Sequence, residues 1–369
     1  MLDARSPRRI AALLALALLA GCKPAAEPNP PPGAGEDESL PEQDPIERAI
    51  VLSERGEHAK ALEILDAEAA KSPKNHELHY ARGVALQALG RGDEAVAALR
   101  AALEIKPDFA PAINGVGAFE LDARNYKAAA EAFQKAIELQ PEFVDPRYNL
   151  GLALAGAGEL DKAEQALAGA RELAPEDVDV ALALADIKGK RGDLEGAIEA
   201  ARAVAEKNAD DPGVRMAYGE ILYRAEKYAE AVPEFEAALK ARPEAVNARF
   251  ALARAQVGAG KAKDSLEHFA ILEKTVGEQA IFWAEYGAAV AAAGTLDGPD
   301  GGLAKIAHAL ELKPDLAVGH VRKIEALARG KRCKDAKAAL GAFRSLTPPE
   351  SAVARAELAL GSCGKGKAK

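Results

Sequence analysis

Aromatic residues are scarce in this chain of 369 residues. It contains nine Phe, seven Tyr and one Trp, against 86 Ala. Sandwiches and barrels are built from strands rich in β-branched and aromatic side chains, whereas alanine is the strongest helix former. The composition therefore argues against a mainly β architecture and predicts helices that pack through small side chains.

The chain also lacks an excess of positive charge. Lys and Arg number 48 and Asp and Glu number 57, which gives a formal net charge of -9 at pH 7. Proteins that bind nucleic acid contact its phosphates through a basic surface, and no basic cluster dominates this sequence. We therefore expect no nucleic-acid partner.

Signatures of catalysis and of metal binding are missing as well. The repeated part of the chain contains no P-loop, no dinucleotide-binding glycine motif before a helix, no nucleophile elbow and no HExxH. The nearest approach, His76-Glu77-Leu78-His79, has two histidines at the wrong spacing and no third ligand. Asp297 and Asp300 could hold calcium, but an ordinary turn is the better interpretation. We expect no catalytic residue, metal or cofactor.

The N-terminus has the pattern of an export signal. Arg5, Arg8 and Arg9 precede an apolar run at residues 10–20, which is too short to span a bilayer. The alternative, a buried helix of the fold, fits these flanks poorly. The run ends in small residues before a cysteine, and these four positions resemble the lipobox of bacterial lipoproteins: Leu19, Ala20, Gly21 and Cys22.

The lipobox resemblance implies cleavage of residues 1–21 and lipidation of Cys22. Lys23, rather than Asp, follows the cysteine, and in a Gram-negative host this implies sorting to the periplasmic face of the outer membrane. We therefore expect an exported lipoprotein whose only contact with a membrane is its lipid anchor.

Residues 22–44 are predicted to form a flexible tether. The stretch at 23–45 has seven Pro, several acidic residues and almost no large apolar side chain, so it cannot bury enough surface to order itself. Fully extended, it would reach about 70 Å at about 3.1 Å per residue. The alternative is a disordered leader whose length is unimportant.

The remainder of the chain repeats one pattern with a period of 34 residues. Prolines keep this period, apart from three extra residues in the loop at 297–302: Pro73, Pro107, Pro141, Pro175, Pro243, Pro314 and Pro348. Small residues recur in the same phase: Gly83, Gly117, Gly151, Ala185, Gly219, Ala253 and Gly287. Glycines mark the middle of most repeats: Gly56, Gly90, Gly158, Gly192, Gly260 and Gly294.

This pattern resembles a tetratricopeptide repeat array, most clearly at residues 80–108 and 148–177. Apolar residues at i, i+3, i+4 and i+7 predict two amphipathic helices per repeat. The mid-repeat glycine ends the first helix and the proline ends the second. Because each repeat leaves an apolar face uncovered, the repeats must stack.

We therefore predict an all-α fold, a right-handed α-solenoid of about nine helix pairs, at residues 45–361. A helix at 350–361 would cap it, and 362–369 would form a basic tail. The nine repeats lie near 42–75, 76–109, 110–143, 144–177, 178–211, 212–245, 246–279, 280–316 and 317–350.

Cys333 and Cys363 are predicted to form a disulfide. An exported protein meets an oxidising compartment, where an even pair of cysteines is a disulfide candidate. Cys333 lies just before the second helix of the last repeat. A capping helix that returns antiparallel to that helix would bring Cys363 near Cys333. The alternative is two free thiols.

The family resemblance further implies that the first helices of successive repeats line a groove for a peptide or helix of another protein. The inward positions correspond to Tyr80, Val84, Asn114, Tyr148, Asn149, Leu152, Leu182, Met216, Glu220, Tyr223, Phe250 and Arg254. For Val84, Leu152 and Leu182, packing between helices is an equally good interpretation. For Tyr80, Tyr148 and Tyr223 we favour the groove.

Two functions fit these features. The first is a non-catalytic scaffold or assembly factor that holds other envelope proteins through the groove. The alternative is an accessory regulator of cell-wall metabolism that binds a peptidoglycan enzyme or the glycan itself. An enzyme is not expected, because no catalytic set is present.

Overall fold

The computed structural model describes residues 44–363, which form 19 α-helices, a short 3₁₀ turn at Gly361–Cys363 and no strand. The predicted signal peptide, the lipobox with Cys22, nearly all of the tether and most of the basic tail lie outside these residues. The helices confirm the predicted all-α fold, with nine helix pairs and a final capping helix.

The first helices of the nine pairs have 13 residues in every case but one. They are α1 (Pro45–Glu54), α3 (His76–Ala88), α5 (Ala110–Asp122), α7 (Val144–Gly156), α9 (Val178–Lys190), α11 (Pro212–Arg224), α13 (Val246–Gly258), α15 (Ala280–Ala292) and α17 (Ala317–Arg329).

The second helices have 11 to 15 residues. They are α2 (His58–Ala69), α4 (Gly92–Ile105), α6 (Tyr126–Leu139), α8 (Leu160–Leu173), α10 (Leu194–Lys207), α12 (Tyr228–Ala241), α14 (Ala262–Val276), α16 (Gly302–Leu312) and α18 (Cys333–Arg344). The capping helix is α19 (Glu350–Leu360).

The two helices of a pair approach closely at the small residue in the first helix. A Cβ atom placed on Gly219 in α11 would lie 2.6 Å from the ring of Phe235 in α12, and Phe235 is fully buried. At Gly83 the corresponding contact is 2.8 Å to Leu99. The recurring glycines therefore serve packing between helices, as the sequence pattern predicts.

The first helix of every pair is followed by a residue with left-handed backbone. In six pairs this residue is the predicted mid-repeat glycine, with φ between 71° and 112°. In the other three pairs the same position is held by Arg124, Glu226 and Lys331, with φ of 61°, 59° and 58°. The turn has the same hydrogen bond in both cases. The N–H of Asn125, which follows Arg124, donates to the carbonyl of Glu120 at 2.8 Å, and the N–H of Glu159, which follows Gly158, donates to the carbonyl of Leu154.

The chain divides into two compact bodies, which we call the N-terminal body, up to Ala200, and the C-terminal body, from Ala201. In the N-terminal body, buried Leu and Ala side chains of neighbouring pairs form the core. In the C-terminal body, Phe235, Phe269, Phe282 and Phe343 are fully buried. No helix in residues 44–363 is both long and apolar enough to cross a membrane.

The capping helix closes the end of the C-terminal body. Ala356 of α19 is fully buried against a cluster that includes Leu340 and Phe343 of α18. A disulfide joins Cys333, the first residue of α18, to Cys363, with their Cα atoms 5.6 Å apart. This is the pairing that the sequence predicts.

Candidate functional site

The first helices form a face in each body, which we call the first-helix face. In the N-terminal body, side chains from α3, α5 and α7 line a narrow cleft on this face. Four of the predicted groove residues lie at this cleft: Tyr80, Val84, Asn114 and Asn149. The structure therefore brings together residues that are 69 positions apart in the sequence.

Tyr80 is half-buried at one wall of the cleft. Its ring contacts Phe109 edge to face, with 5.5 Å between the centroids. Burial raises the pKa of the Tyr80 hydroxyl to about 12, and the negative charge of Asp145 adds to this rise. Tyr80 is thus a neutral hydroxyl at any physiological pH, in a negative electrostatic environment.

Asn114 and Asn149 form a buried amide pair at the floor of the cleft. Asn149 Nδ2 donates to Asn114 Oδ1 at 3.0 Å, and the two residues are 4% and 7% exposed for Asn149 and Asn114 respectively. Oδ1 of Asn149 accepts no hydrogen bond from any described residue. The two amides therefore expose little surface to a partner, and one buried acceptor oxygen has no hydrogen bond.

Tyr148 does not lie on the surface of the groove, which corrects the prediction from the sequence. It is 3% exposed and packs in a core cluster with Leu167, Val180 and Leu184. Leu152 is half-buried against the same cluster. The Tyr148 side chain faces the next helix pair, so its ring fills the space between the two consecutive pairs.

The remaining predicted residues are half-buried. Leu182 occupies such a position on α9, and Met216 and Glu220 do so on α11. The negative charge of Glu220 acts on Arg254 of the next pair. These three residues therefore contribute partly to packing and partly to the first-helix face.

In the C-terminal body, Arg254 lies against two aromatic rings. Its guanidinium carbon is 4.5 Å from the ring centroid of Tyr223 and 5.7 Å from that of Phe250. Cations are attracted to the faces of aromatic rings, and stacking also limits the rotamers of the arginine. Three of the predicted groove residues thus form one cluster on α11 and α13.

A network of charged side chains lies on the following first helices, α15 and α17, of the C-terminal body. It is not among the residues predicted from the sequence. Glu285 of α15 accepts two hydrogen bonds from Arg322 of α17, at 2.9 and 3.0 Å. Arg322 also donates to Glu325 at 2.7 Å, and Glu325 accepts from Arg355 of the capping helix at 3.0 Å. The network therefore links the first helices α15 and α17 with the capping helix α19.

A signal for this network is present in the sequence. Glu285 occupies a repeat position that holds small residues in several earlier repeats, namely Gly115, Ala183, Ala217 and Ala251. A carboxylate at a position where small residues pack against neighbouring helices requires a counter-charge if it is buried there. The partner, Arg322, occupies the same position one repeat later, so the pair could have been inferred from the 34-residue alignment of the repeats.

Arg254 is incompletely paired within this network. Both oxygens of Glu285 are bonded to Arg322, and the nearest approach of Arg254, from Nε to Oε1, is 3.8 Å. The buried Nε of Arg254 has no hydrogen-bond partner among the described residues. The cluster therefore presents a stacked guanidinium with unused donor capacity.

The weak metal motifs have other roles. His76 packs edge to face on Phe109, with ring centroids 4.7 Å apart, and Nε2 of His79 lies 2.9 Å from the carbonyl oxygen of Pro73. Asp297 pairs with Arg332 at 2.7 Å. Within residues 44–363, no three His, Cys, Asp or Glu side chains are grouped so that they could hold a metal ion.

Sequence models of known families match the chain over more than half of its length. One model of the tetratricopeptide repeat matches residues 46–108, 182–246 and 222–273, and a second matches residues 120–187. No curated protein is similar enough in sequence to be identified as a relative.

Solved structures share the fold at low sequence identity. A tetratricopeptide repeat protein from Parabacteroides merdae is 16% identical, with a TM-score of 0.54, and the match covers 66% of this chain and 96% of that one. A chain of the APC/C hetero-tetramer Cut9-Hcn1 is 16% identical with a TM-score of 0.61, and the match covers 77% of this chain and 55% of the other. At these identities the likeness establishes the fold alone.

Proposed function

The chain belongs to the tetratricopeptide repeat family, and from this premise we propose that it is a non-catalytic scaffold or assembly factor of a bacterial envelope. In this proposal, the first-helix faces bind a peptide or helix of another envelope protein. Lipid on Cys22 would hold the chain at the periplasmic face of the outer membrane, and residues 22–44 would hold the repeats away from the bilayer.

The observation that carries the proposal is the cluster of Tyr223, Phe250 and Arg254. Aromatic rings and arginine are the side chains most enriched at the energetic centres of protein interfaces. Here they lie together, half-buried and already ordered by stacking, so little rotamer entropy is lost when a partner binds. Such a cluster offers apolar area together with directional donors.

The proposal is tested by capture of partners from envelope extracts with the immobilised mature protein. We expect Tyr223→Ala and Arg254→Met to lose the main partner while their helical content by circular dichroism is unchanged. Arg242→Met is the matched control, because Arg242 is exposed and follows a second helix. Undiminished capture by both cluster variants would refute the role of the first-helix face.

The anchor is tested separately, by fractionation and fatty-acid labelling of cells. We expect the wild-type chain in the outer-membrane fraction with label, and Cys22→Ala without label and no longer cleaved. The cell-wall alternative predicts a different result, namely that the purified protein sediments with protein-free sacculi. Sedimentation only in the presence of other proteins would favour the scaffold.

A further inference from the structure

We propose that the basic turn between α17 and α18, residues 329–337, binds the surface of a bilayer that contains anionic phospholipids. This inference goes beyond the proposed function, because the contact needs neither lipid on Cys22 nor the first-helix face. It also departs from the expectation that a lipid anchor is the only contact of the chain with a membrane. It is carried by the distribution of charge along the chain, by the unpaired basic side chains of the turn and by the outer face of α18.

The charge of the chain is divided unevenly along the sequence. Residues 317–369 contain twelve Lys or Arg and four Asp or Glu, which gives a formal net charge of +8, although the whole chain has -9. Residues 1–316 therefore carry -17. The overall composition hides this asymmetry. A strongly basic part of an otherwise acidic chain is typical of a contact with an anionic surface such as nucleic acid or a membrane.

Most of the positive charge at the turn is not neutralised by neighbouring carboxylates. Four exposed basic side chains form no ion pair with any residue in the range 44–363: Arg329, Lys331, Lys334 and Lys337. Arg332, in the middle of the turn, is bonded to Asp335 and to Asp297, both at 2.7 Å. These two carboxylates are thus directed at Arg332. The five basic and two acidic side chains together leave a net charge of +3.

The outer face of α18 allows its lysines to approach a flat surface. The exposed residues at i, i+3, i+4 and i+7 are Lys334, Lys337, Ala338 and Gly341, and this spacing places them in one stripe along the helix. A Cβ atom on Gly341 would have nothing within 4 Å. The four members of the stripe include neither an acidic side chain nor a bulky one that would hold the lysines away from a surface.

The composition of the turn favours a bilayer over a protein partner. The energetic centres of protein interfaces are aromatic residues and arginine in packed pockets, and lysine is depleted there. Three of the four unpaired basic residues are lysines, and residues 329–341 contain no aromatic residue. Lysines on flexible stems instead suit diffuse attraction to the mobile headgroups of anionic lipids, which needs no pocket.

The end of the chain adds positive charge near the same turn. Cys363 is bonded to Cys333, which lies between Arg332 and Lys334. Three of the six residues after Cys363 are lysines. Because six residues span at most about 20 Å, the covalent connection keeps these lysines within about that distance of Cys363.

The test is sedimentation of the mature chain, with Cys22→Ser so that it carries no lipid, together with phospholipid vesicles. One set of vesicles contains about one third phosphatidylglycerol in phosphatidylcholine, and the other contains phosphatidylcholine alone. We expect binding to the anionic vesicles at about 0.05 M salt and its loss at about 0.5 M, because salt screens exposed charges. The neutral vesicles should not bind the chain. Equal binding to the two sets of vesicles would overturn the proposal.

Matched pairs of lysines locate the contact. Lys334 and Lys127 are the second residues of α18 and α6 and occupy the same repeat position, and both are exposed. We expect Lys334→Gln with Lys337→Gln to weaken binding to anionic vesicles by about 25-fold, about fivefold for each charge. Lys127→Gln with Lys135→Gln removes the same charge from the exposed surface of α6 and should change binding less than twofold. Equal weakening by the two double variants would refute the assignment to the turn.

Further measurements distinguish the bilayer from other anions. Inorganic phosphate should reduce vesicle binding no more than chloride does at the same ionic strength. Should a DNA duplex bind the turn more tightly than the anionic vesicles do, with the same loss on changing Lys334 and Lys337, the assignment to lipid is overturned. The chain in these experiments has neither lipid nor a partner protein. Failure to bind vesicles would therefore refute the membrane contact and leave the proposed function unaffected.

Discussion

Arg322 donates from Nη2 and Nε to the two carboxylate oxygens of Glu285, at 2.9 and 3.0 Å, across 37 residues of sequence. Their side chains are only 12% and 7% exposed. Burial by itself would raise the pKa of Glu285, but the positive charges of Arg322 and Arg254 outweigh it and hold that pKa below its ordinary value. The pair connects α15 with α17 and, through Glu325, with the capping helix.

Removal of the negative charge from this pair should destabilise the protein strongly. We expect Glu285→Gln to lower the free energy of unfolding by about 3–5 kcal/mol, because Arg322 and Arg254 lose the buried negative charge that they share and only Glu325 still pairs with Arg322. Urea unfolding followed by circular dichroism measures the change. The matched control is Asp335→Asn, whose partner Arg332 is 41% exposed, and there we expect less than about 1 kcal/mol. Equal losses in the two variants would contradict the assigned role of the pair.

The same pair predicts how stability depends on pH. Because the pKa of Glu285 is lower in the folded chain than its ordinary value of about 4.3 in an unfolded chain, its contribution is complete above that ordinary value. It is lost as the pH falls through the folded-state pKa. We therefore expect the stability difference between wild type and Glu285→Gln to be constant between pH 6 and pH 7 and to shrink below about pH 4. A difference that grows on acidification would be inconsistent with this pairing.

Close helix contacts predict opposite effects for two glycine substitutions. Gly219→Ala would place a Cβ atom 2.6 Å from the buried ring of Phe235, and we expect a loss of about 1–3 kcal/mol from overpacking. Gly341 in α18 is exposed, with nothing within 4 Å of such an atom. There we expect a gain of up to about 1 kcal/mol from helix propensity. Thermal unfolding of the two variants measures both signs, and a stable Gly219→Ala would disprove the close approach.

The left-handed turns predict a stabilising substitution at a residue that is not glycine. Arg124 holds the position of the mid-repeat glycine with φ of 61°. We expect Arg124→Gly to raise the free energy of unfolding by up to about 1 kcal/mol, because glycine adopts this backbone without strain. Gly158→Ala, at the same position of the next repeat, should lower it by a similar amount. Should Arg124→Gly destabilise the chain, the arginine side chain must contribute contacts that outweigh the strain.

The disulfide predicts the redox state and stability of the capping helix. Without reductant, alkylating reagents should label neither Cys333 nor Cys363 in the purified mature protein. The bond closes a loop with a sequence separation of 30 residues, so we expect Cys333→Ser with Cys363→Ser to cost about 3–4 kcal/mol in the chain-entropy model. Differential alkylation with mass spectrometry tests the first point, and uptake of label at both cysteines would show that the bond is absent in solution.

The repeat architecture could be read from the amino-acid sequence because it depends on local and periodic properties. Helix propensity, the 3.6-residue apolar pattern and the helix-ending glycine and proline all act within one 34-residue repeat, and they recur in phase. The disulfide followed from the same reasoning, since two antiparallel helices of known length determine where their ends meet. Nine helix pairs, the cap and the Cys333–Cys363 bond were therefore accessible without coordinates.

The first-helix face depended on tertiary packing, and there the sequence was less informative. Tyr148 occupies the same repeat position as Tyr80, yet one ring is buried in the core and the other borders a cleft. Tyr148 packs in a cluster with Val180 and Leu184 of the next pair, whereas Tyr80 contacts Phe109 edge to face. The unpaired Oδ1 of Asn149 and the unpaired Nε of Arg254 also depend on tertiary packing. Their neighbouring side chains belong to other repeats, which only folding brings close to them.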